Sequence, residues 1–132
     1  DTIRVSLTAH PVEEVRAGLR ILQATGHRQA MPAVVACPTC GRTQIDVQRL
    51  VTAAEEELDR IRRQTGDELQ LAKVAVMGCA VNGPGEASDA DVGVAGSSTD
   101  AVIFKHGRIV RRVPREHALS AFLEEIRAQC GH

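Results

Sequence analysis

Aromatic side chains are almost absent from this sequence: tryptophan and tyrosine do not occur, and Phe104 and Phe122 are the two phenylalanines. So few rings offer no stacking platform for bases. With 16 basic against 17 acidic residues there is no positive footprint either, so nucleic acid is not an expected partner. No apolar run approaches the roughly 20 residues that span a bilayer, and no membrane role is expected. Residues 1–10 carry neither a basic start nor a long apolar stretch. No signal peptide is therefore expected, and the expected compartment is the cytoplasm. Cysteine is scarce too. Cys37, Cys40, Cys79 and Cys130 are too few and too unevenly spaced for a small disulfide scaffold.

What remains is ordinary globular material. The chain has 132 residues, 43% of them hydrophobic and 25% charged, which suits one domain with a small appended piece. It opens inside what reads as a strand, so the expectation is the C-terminal part of a longer protein. Residues 3–7 alternate apolar and polar, the period of a strand. Pro11 suits a first helical position, and Val12, Val15, Leu19 and Leu22 follow at helical spacing until Gly26.

Residues 33–36 form a short apolar strand ending at Cys37. Asp46 caps a long amphipathic helix with Val47, Leu50, Val51, Ala54, Leu58 and Ile61 inward, ended by Gly66. Residues 71–77 are a second apolar strand, stopping at Gly78 and Cys79. Strands follow at 91–95, 101–105 and 108–113, the last two joined by a turn at His106 and Gly107. Pro114 opens a final helix with Leu119, Phe122, Leu123 and Ile126 on one face. From residue 33 the order is β–α–β–β–β–α, a small α/β or α+β domain. The opening β–α unit reads as the end of something larger.

Both cysteine passages, "VVACPTCGRTQ" and "VMGCAVNGPGEAS", begin at the C-terminal end of an apolar strand. If those strands are parallel neighbours joined by the crossover helix, their ends share one sheet edge, where α/β folds build sites. Cys37, Cys40 and Cys79 then converge into a soft donor set suited to an iron–sulfur cluster or to zinc. Three fourth donors are conceivable. Cys130 lies beside the C-terminus and His106 at a turn tip, whereas Glu86 follows a glycine–proline loop that can turn a carboxylate back. Taken singly, the C-x-x-C also suits a structural zinc site, Asn-Gly-Pro-Gly a plain turn, and residues 108–115 a solvated basic strand.

The combination "ACPTCGR", "GCAVNGPGEA" and "ADVGVAG" resembles the C-terminal region of the GcpE/IspG family, the 4-hydroxy-3-methylbut-2-enyl diphosphate synthases of non-mevalonate isoprenoid biosynthesis. "DTIRVSLTAHPVEEV" resembles the last strand and helix of the family's TIM barrel. The resemblance implies two regions: residues 1–30 as the last β–α unit of a barrel, and residues 31–132 as an iron–sulfur domain resembling the sulfite-reductase half-domain. It implies a 4Fe–4S cluster held by Cys37, Cys40, Cys79 and Glu86, with Asn82 near the reacting substrate oxygen. It places Arg4 and Ser6 at the barrel's diphosphate site. It implies an oxidoreductase that opens 2-C-methyl-D-erythritol 2,4-cyclodiphosphate, with electrons from ferredoxin or flavodoxin, working as a homodimer in the full-length protein. Most of the barrel lies outside this chain, which alone is not expected to turn over substrate. A zinc-stabilised binding module and a plain electron-transfer domain are the alternatives, and Glu86 discriminates, because a plain carrier prefers a fourth cysteine.

Overall fold

The computed structural model describes residues 2–27, 31–66 and 69–131. The chain divides into two compact units, Asp1–Ala30 and Met31–His132; residues 28–30, at the expected boundary, lie outside the described residues.

In the first unit, Pro11 opens helix α1 (Pro11–Ala24), and Nδ1 of His10 accepts a hydrogen bond from the Val12 amide at 3.3 Å. The helix closes with Gly26 at φ 73°. The His27 amide donates to the Leu22 carbonyl at 2.9 Å and the Gly26 amide to that of Gln23 at 3.1 Å, the Schellman pattern. The strand expected at residues 3–7 is not formed. A strand exists through ladder bonds to a neighbour, and α1 is the one regular element described in this unit. The Leu7 amide bonds instead to the Glu14 carboxylate at 3.1 Å. Arg4 and Ser6 are therefore exposed on an irregular segment rather than at a strand end. Ile3, Leu7, Val12 and Val15 stay largely exposed, Val15 at 63%.

The second unit is a five-stranded sheet in the order β1 (Ala33–Ala36), β2 (Lys73–Met77), β3 (Val92–Gly96), β4 (Asp100–Lys105) and β5 (Arg108–Pro114). The first two pairings are parallel and the last two antiparallel. Helix α2 (Val47–Thr65) makes the β1–β2 crossover. Asp46 caps it by accepting from the Arg49 amide at 3.0 Å, and Gly66 ends it at φ 86°. Between β2 and β3 lies one short turn of helix, α3 (Gly83–Glu86), where a loop was expected. Helix α4 (Ala118–Gln129) closes the chain. It does not start at Pro114, as expected. Pro114 ends β5, and a 3₁₀ turn at Arg115–His117 intervenes.

After Lys73, β2 and β3 read as apolar runs because both faces are buried. On one face Val74, Val76, Val92, Val94 and Ile103 pack under Leu50, Ala54, Leu58 and Ile61 of α2 and Phe122 and Ile126 of α4. On the other, Ala75, Met77, Ala95, Val102 and Phe104 are covered by Ala87 and Ala90, just after α3. The Phe104 ring lies flat on Gly93, where a Cβ would stand 2.1 Å from its Cζ. The β4–β5 hairpin turns on His106 (φ 47°) and Gly107 (φ 77°), both left-handed as a type I′ turn requires. No described helix is long and apolar enough to cross a membrane.

One buried ion pair joins α2 to α4. Glu57, 7% exposed, accepts from Arg127 Nε at 2.6 Å and from Arg60 Nε at 3.2 Å. The Arg127 bond first, then that of Arg60, lowers its carboxyl pKa from 4.5 to about 2. Because the folded carboxyl titrates below its unfolded value, this contribution is complete well above pH 4.5 and fades as the pH falls toward 2. Glu57→Gln should cost about 2 kcal/mol at neutral pH, a figure tempered by the partly exposed arginines. The gap from the parent should narrow on acidification; denaturant melts at two pH values check it.

Candidate metal centre at the ends of the parallel strands

The parallel pairing of β1 and β2 sets their carboxyl ends side by side. Cys37 stands just past β1, its amide donating to the Val76 carbonyl at 3.2 Å. The chain then runs through Pro38 and Thr39 into a turn at Gly41 and Arg42. The turn is closed by two bonds: the Cys40 amide to Thr43 Oγ1 at 3.1 Å and the Thr43 amide to the Cys40 carbonyl at 3.0 Å. The Gln44 amide donates to the Gly78 carbonyl at 2.8 Å, folding this loop over the end of β2.

Gly78 is at the centre of the edge. Its amide donates to Cys37 Sγ at 3.0 Å, tying the first thiol to the residue before Cys79. A Cβ on Gly78 would meet Thr43 Oγ1 at 2.8 Å, so a side chain there would push the two cysteine loops apart. Gly83 has the same role beneath α3. A Cβ there would stand 2.8 Å from the Cβ of Met77 and 3.0 Å from that of Ala95, so glycine lets this turn sit directly on the strand ends. The Glu86 amide donates to the Asn82 carbonyl at 2.9 Å, which places Asn82 and Glu86 at the two ends of one helical turn.

The outcome is one pocket of about 240 Å³ lined by Cys37, Cys40, Cys79, Asn82 and Glu86, together with Pro38, Arg42, Met77, Gly78 and Gly83. Five of the residues singled out from the sequence therefore share a wall. Arg4 and Ser6 belong to the other unit. The other two conceivable donors do not line this pocket. His106 is 68% exposed at its turn tip. Cys130 is the C-cap of α4, half-buried against the larger core, and burial, then Glu57, pushes its thiol up. Arg42, directly after the second cysteine and glycine, was not singled out, yet it supplies a cation to the pocket wall. A larger cavity of about 520 Å³, along the start of α2 and Leu119, contains none of these groups.

Among the described residues, no three His, Cys, Asp or Glu side chains are drawn close enough to hold a single metal ion. A zinc ion needs its sulfur donors at about 2.3 Å from one point. A four-iron cluster takes one donor per iron and asks for donors spread around a pocket wall. Three free thiols and a carboxylate around one pocket fit the second demand. The Gly78 amide adds a hydrogen bond to a sulfur, one of the features that set a cluster's potential.

The model of the GcpE protein C-terminal domain matches residues 33–128. A 4-hydroxy-3-methylbut-2-en-1-yl diphosphate synthase (flavodoxin) from Caldanaerobacter subterraneus subsp. tengcongensis is 52% identical over 96% of this chain and 34% of its own length. Proteins of the same name from Desulfotalea psychrophila and Ruminiclostridium cellulolyticum are 46% and 44% identical, again over 96% of this chain, which is 33% and 34% of theirs. The chain thus spans about a third of the length of the curated relatives it matches. On the family match and the site that it encloses, this chain belongs to the family of the GcpE protein C-terminal domain.

Proposed function

We propose that this chain is the iron–sulfur part of a reductive dehydratase, with Cys37, Cys40, Cys79 and Glu86 holding a 4Fe–4S cluster. The observation that carries the reading is that these four side chains line one pocket although they come from two distant passages of the chain. The substrate class follows from the relatives' name: the product is 4-hydroxy-3-methylbut-2-enyl diphosphate. The proposed reaction is the two-electron, two-proton opening of 2-C-methyl-D-erythritol 2,4-cyclodiphosphate with loss of water. When bound, the cluster supplies those electrons.

The protein's own groups do the rest. Three thiols provide soft, durable donors and Glu86 a hard one, more readily exchanged. Asn82 makes no side-chain capping bond to α3, which leaves its amide for a substrate oxygen at the pocket wall. Arg42 adds positive charge to that wall for an anionic substrate. Residues 31–132 are read as a domain like the sulfite-reductase half-domain. Residues 1–30 are read as the last β–α unit of a TIM barrel, in which residues 3–7 gain a strand partner and Arg4 and Ser6 bind the diphosphate. Flavodoxin, named for the relatives, is the proposed donor, with ferredoxin the alternative. The whole enzyme is proposed to be a homodimer in the cytoplasm, where thiols stay reduced.

The test is a chimera in which this chain replaces the matching third of the Caldanaerobacter relative, assayed anaerobically with a chemical reductant. Reduction of the cyclodiphosphate supports the reading. A chimera that gains iron and sulfide but leaves the substrate intact would instead make this a plain electron carrier.

A further inference from the structure

Arg115, read from the sequence as part of a solvated basic stretch, is committed to the edge where the cysteines lie. Strand β5 is antiparallel to β4, and β4 to β3, so β5 runs in the direction of β1, β2 and β3. Its C-terminal end therefore reaches the same edge. Just beyond Pro114, the guanidinium of Arg115 donates through Nη1 to the Gln44 carbonyl at 3.0 Å and through Nη2 to the Ser98 carbonyl at 2.8 Å. It thus bridges the loop after the C-x-x-C and the turn between β3 and β4.

The Gln44 backbone passes this restraint inward. Its amide donates to the Gly78 carbonyl at 2.8 Å, and the Gly78 amide donates to Cys37 Sγ at 3.0 Å. Three hydrogen bonds, joined through the backbone of Gln44 and of Gly78, link a side chain on the sheet rim to a candidate ligand sulfur. The packing leaves this loop little slack. A Cβ on Gly96 would stand 2.8 Å from Ile45 Cγ2, 2.9 Å from the Gly78 carbonyl oxygen and 3.1 Å from Gln44 Cβ. The loop is wedged between two strand ends, and its outer carbonyl is held by Arg115.

We propose that Arg115 is a positioning residue that locks the Cys37–Cys40 loop onto Gly78 and Cys79, thereby fixing the hydrogen bond to Cys37 Sγ. The role rests on the proposed function, in which those thiols hold the cluster. Two donors at fixed spacing from one planar group suit two carbonyls on separate loops, which a lysine ammonium reaches only one at a time.

The experiment compares parent, Arg115→Ala and Arg115→Lys, first without metal. Iodoacetamide alkylation is followed cysteine by cysteine by mass spectrometry, and Cys130, packed on the core, reports global opening. Arg115→Ala should alkylate at Cys37 about tenfold faster, the shift expected on losing a charge-assisted hydrogen bond, with Cys130 unchanged. Arg115→Lys should fall between the two. If Arg115→Ala exposes Cys130 equally, Arg115→Lys decides: faster alkylation at Cys37 alone supports the lock. In iron-loaded protein, Arg115→Ala should also lower the midpoint potential, because a donor to a ligand sulfur is weakened. Parent-like alkylation at Cys37 in a folded variant, or a parent-like potential, overturns the proposal. A parent that binds no iron refutes the proposed function instead, while the metal-free rates still score Arg115.

Discussion

Replacement of Cys79 by serine is expected to abolish cluster assembly, whereas the same change at Cys130 should leave it untouched. Cys79 follows Gly78, the residue pinned between the Gln44 amide and Cys37 Sγ, so its position relative to the first loop is fixed by the backbone. Serine keeps the size and removes the soft donor, leaving two thiols and a carboxylate, too weak a set for iron and sulfide. Iron and acid-labile sulfide should fall to background in Cys79→Ser after anaerobic reconstitution, with its metal-free melting temperature close to the parent's. Cys130 lies elsewhere, at the C-cap of α4, packed on the larger core and with its thiol pushed up by burial. If Cys130→Ser also lost its iron, the ligand set would have to be redrawn around that cysteine.

The second large effect is at Glu86 and is kinetic. Measured in the chimera with the barrel present, Glu86→Cys should keep a full complement of iron and sulfide but lose most turnover. Glu86 ends the single turn of α3, which Gly83 seats directly on Met77 and Ala95, so the carboxylate reaches the pocket from a firm base. A carboxylate yields its place to a competing oxygen donor far more readily than a thiolate does. A fourth thiolate would therefore close the position that substrate needs. The loss should be at least about a hundredfold per cluster, the scale of removing one first-rank catalytic interaction. Glu86→Ala should instead assemble a less stable cluster. A Glu86→Cys protein as fast per cluster as its parent would show that Glu86 is not an exchangeable donor.

Much of this site is legible in the sequence, for a physical reason. β2, buried on both faces, and the short, half-exposed edge strand β1 both write themselves as apolar runs, and a crossover helix with a capping Asp46 and a closing Gly66 makes those runs parallel neighbours. Cys37 and Cys79 at the ends of the runs must then meet. The His106–Gly107 turn was legible because both residues tolerate positive φ and lie between two strand-like segments. The strand at residues 3–7 misled because alternation states a capacity to pair, while pairing needs a second strand. Asn-Gly-Pro-Gly hid α3, since one helical turn is too short to show a period. Arg115 was invisible for another reason. Its acceptors are backbone carbonyls 71 and 17 residues away, and a carbonyl carries no mark in the sequence.

Three thiols and one carboxylate are proposed to form a single four-iron site. Iron, sulfide and zinc measured on the same anaerobically reconstituted sample test it most directly. The expected result is brown protein with about four irons and four sulfides per chain and negligible zinc. Colourless protein holding a single tightly bound zinc would contradict it.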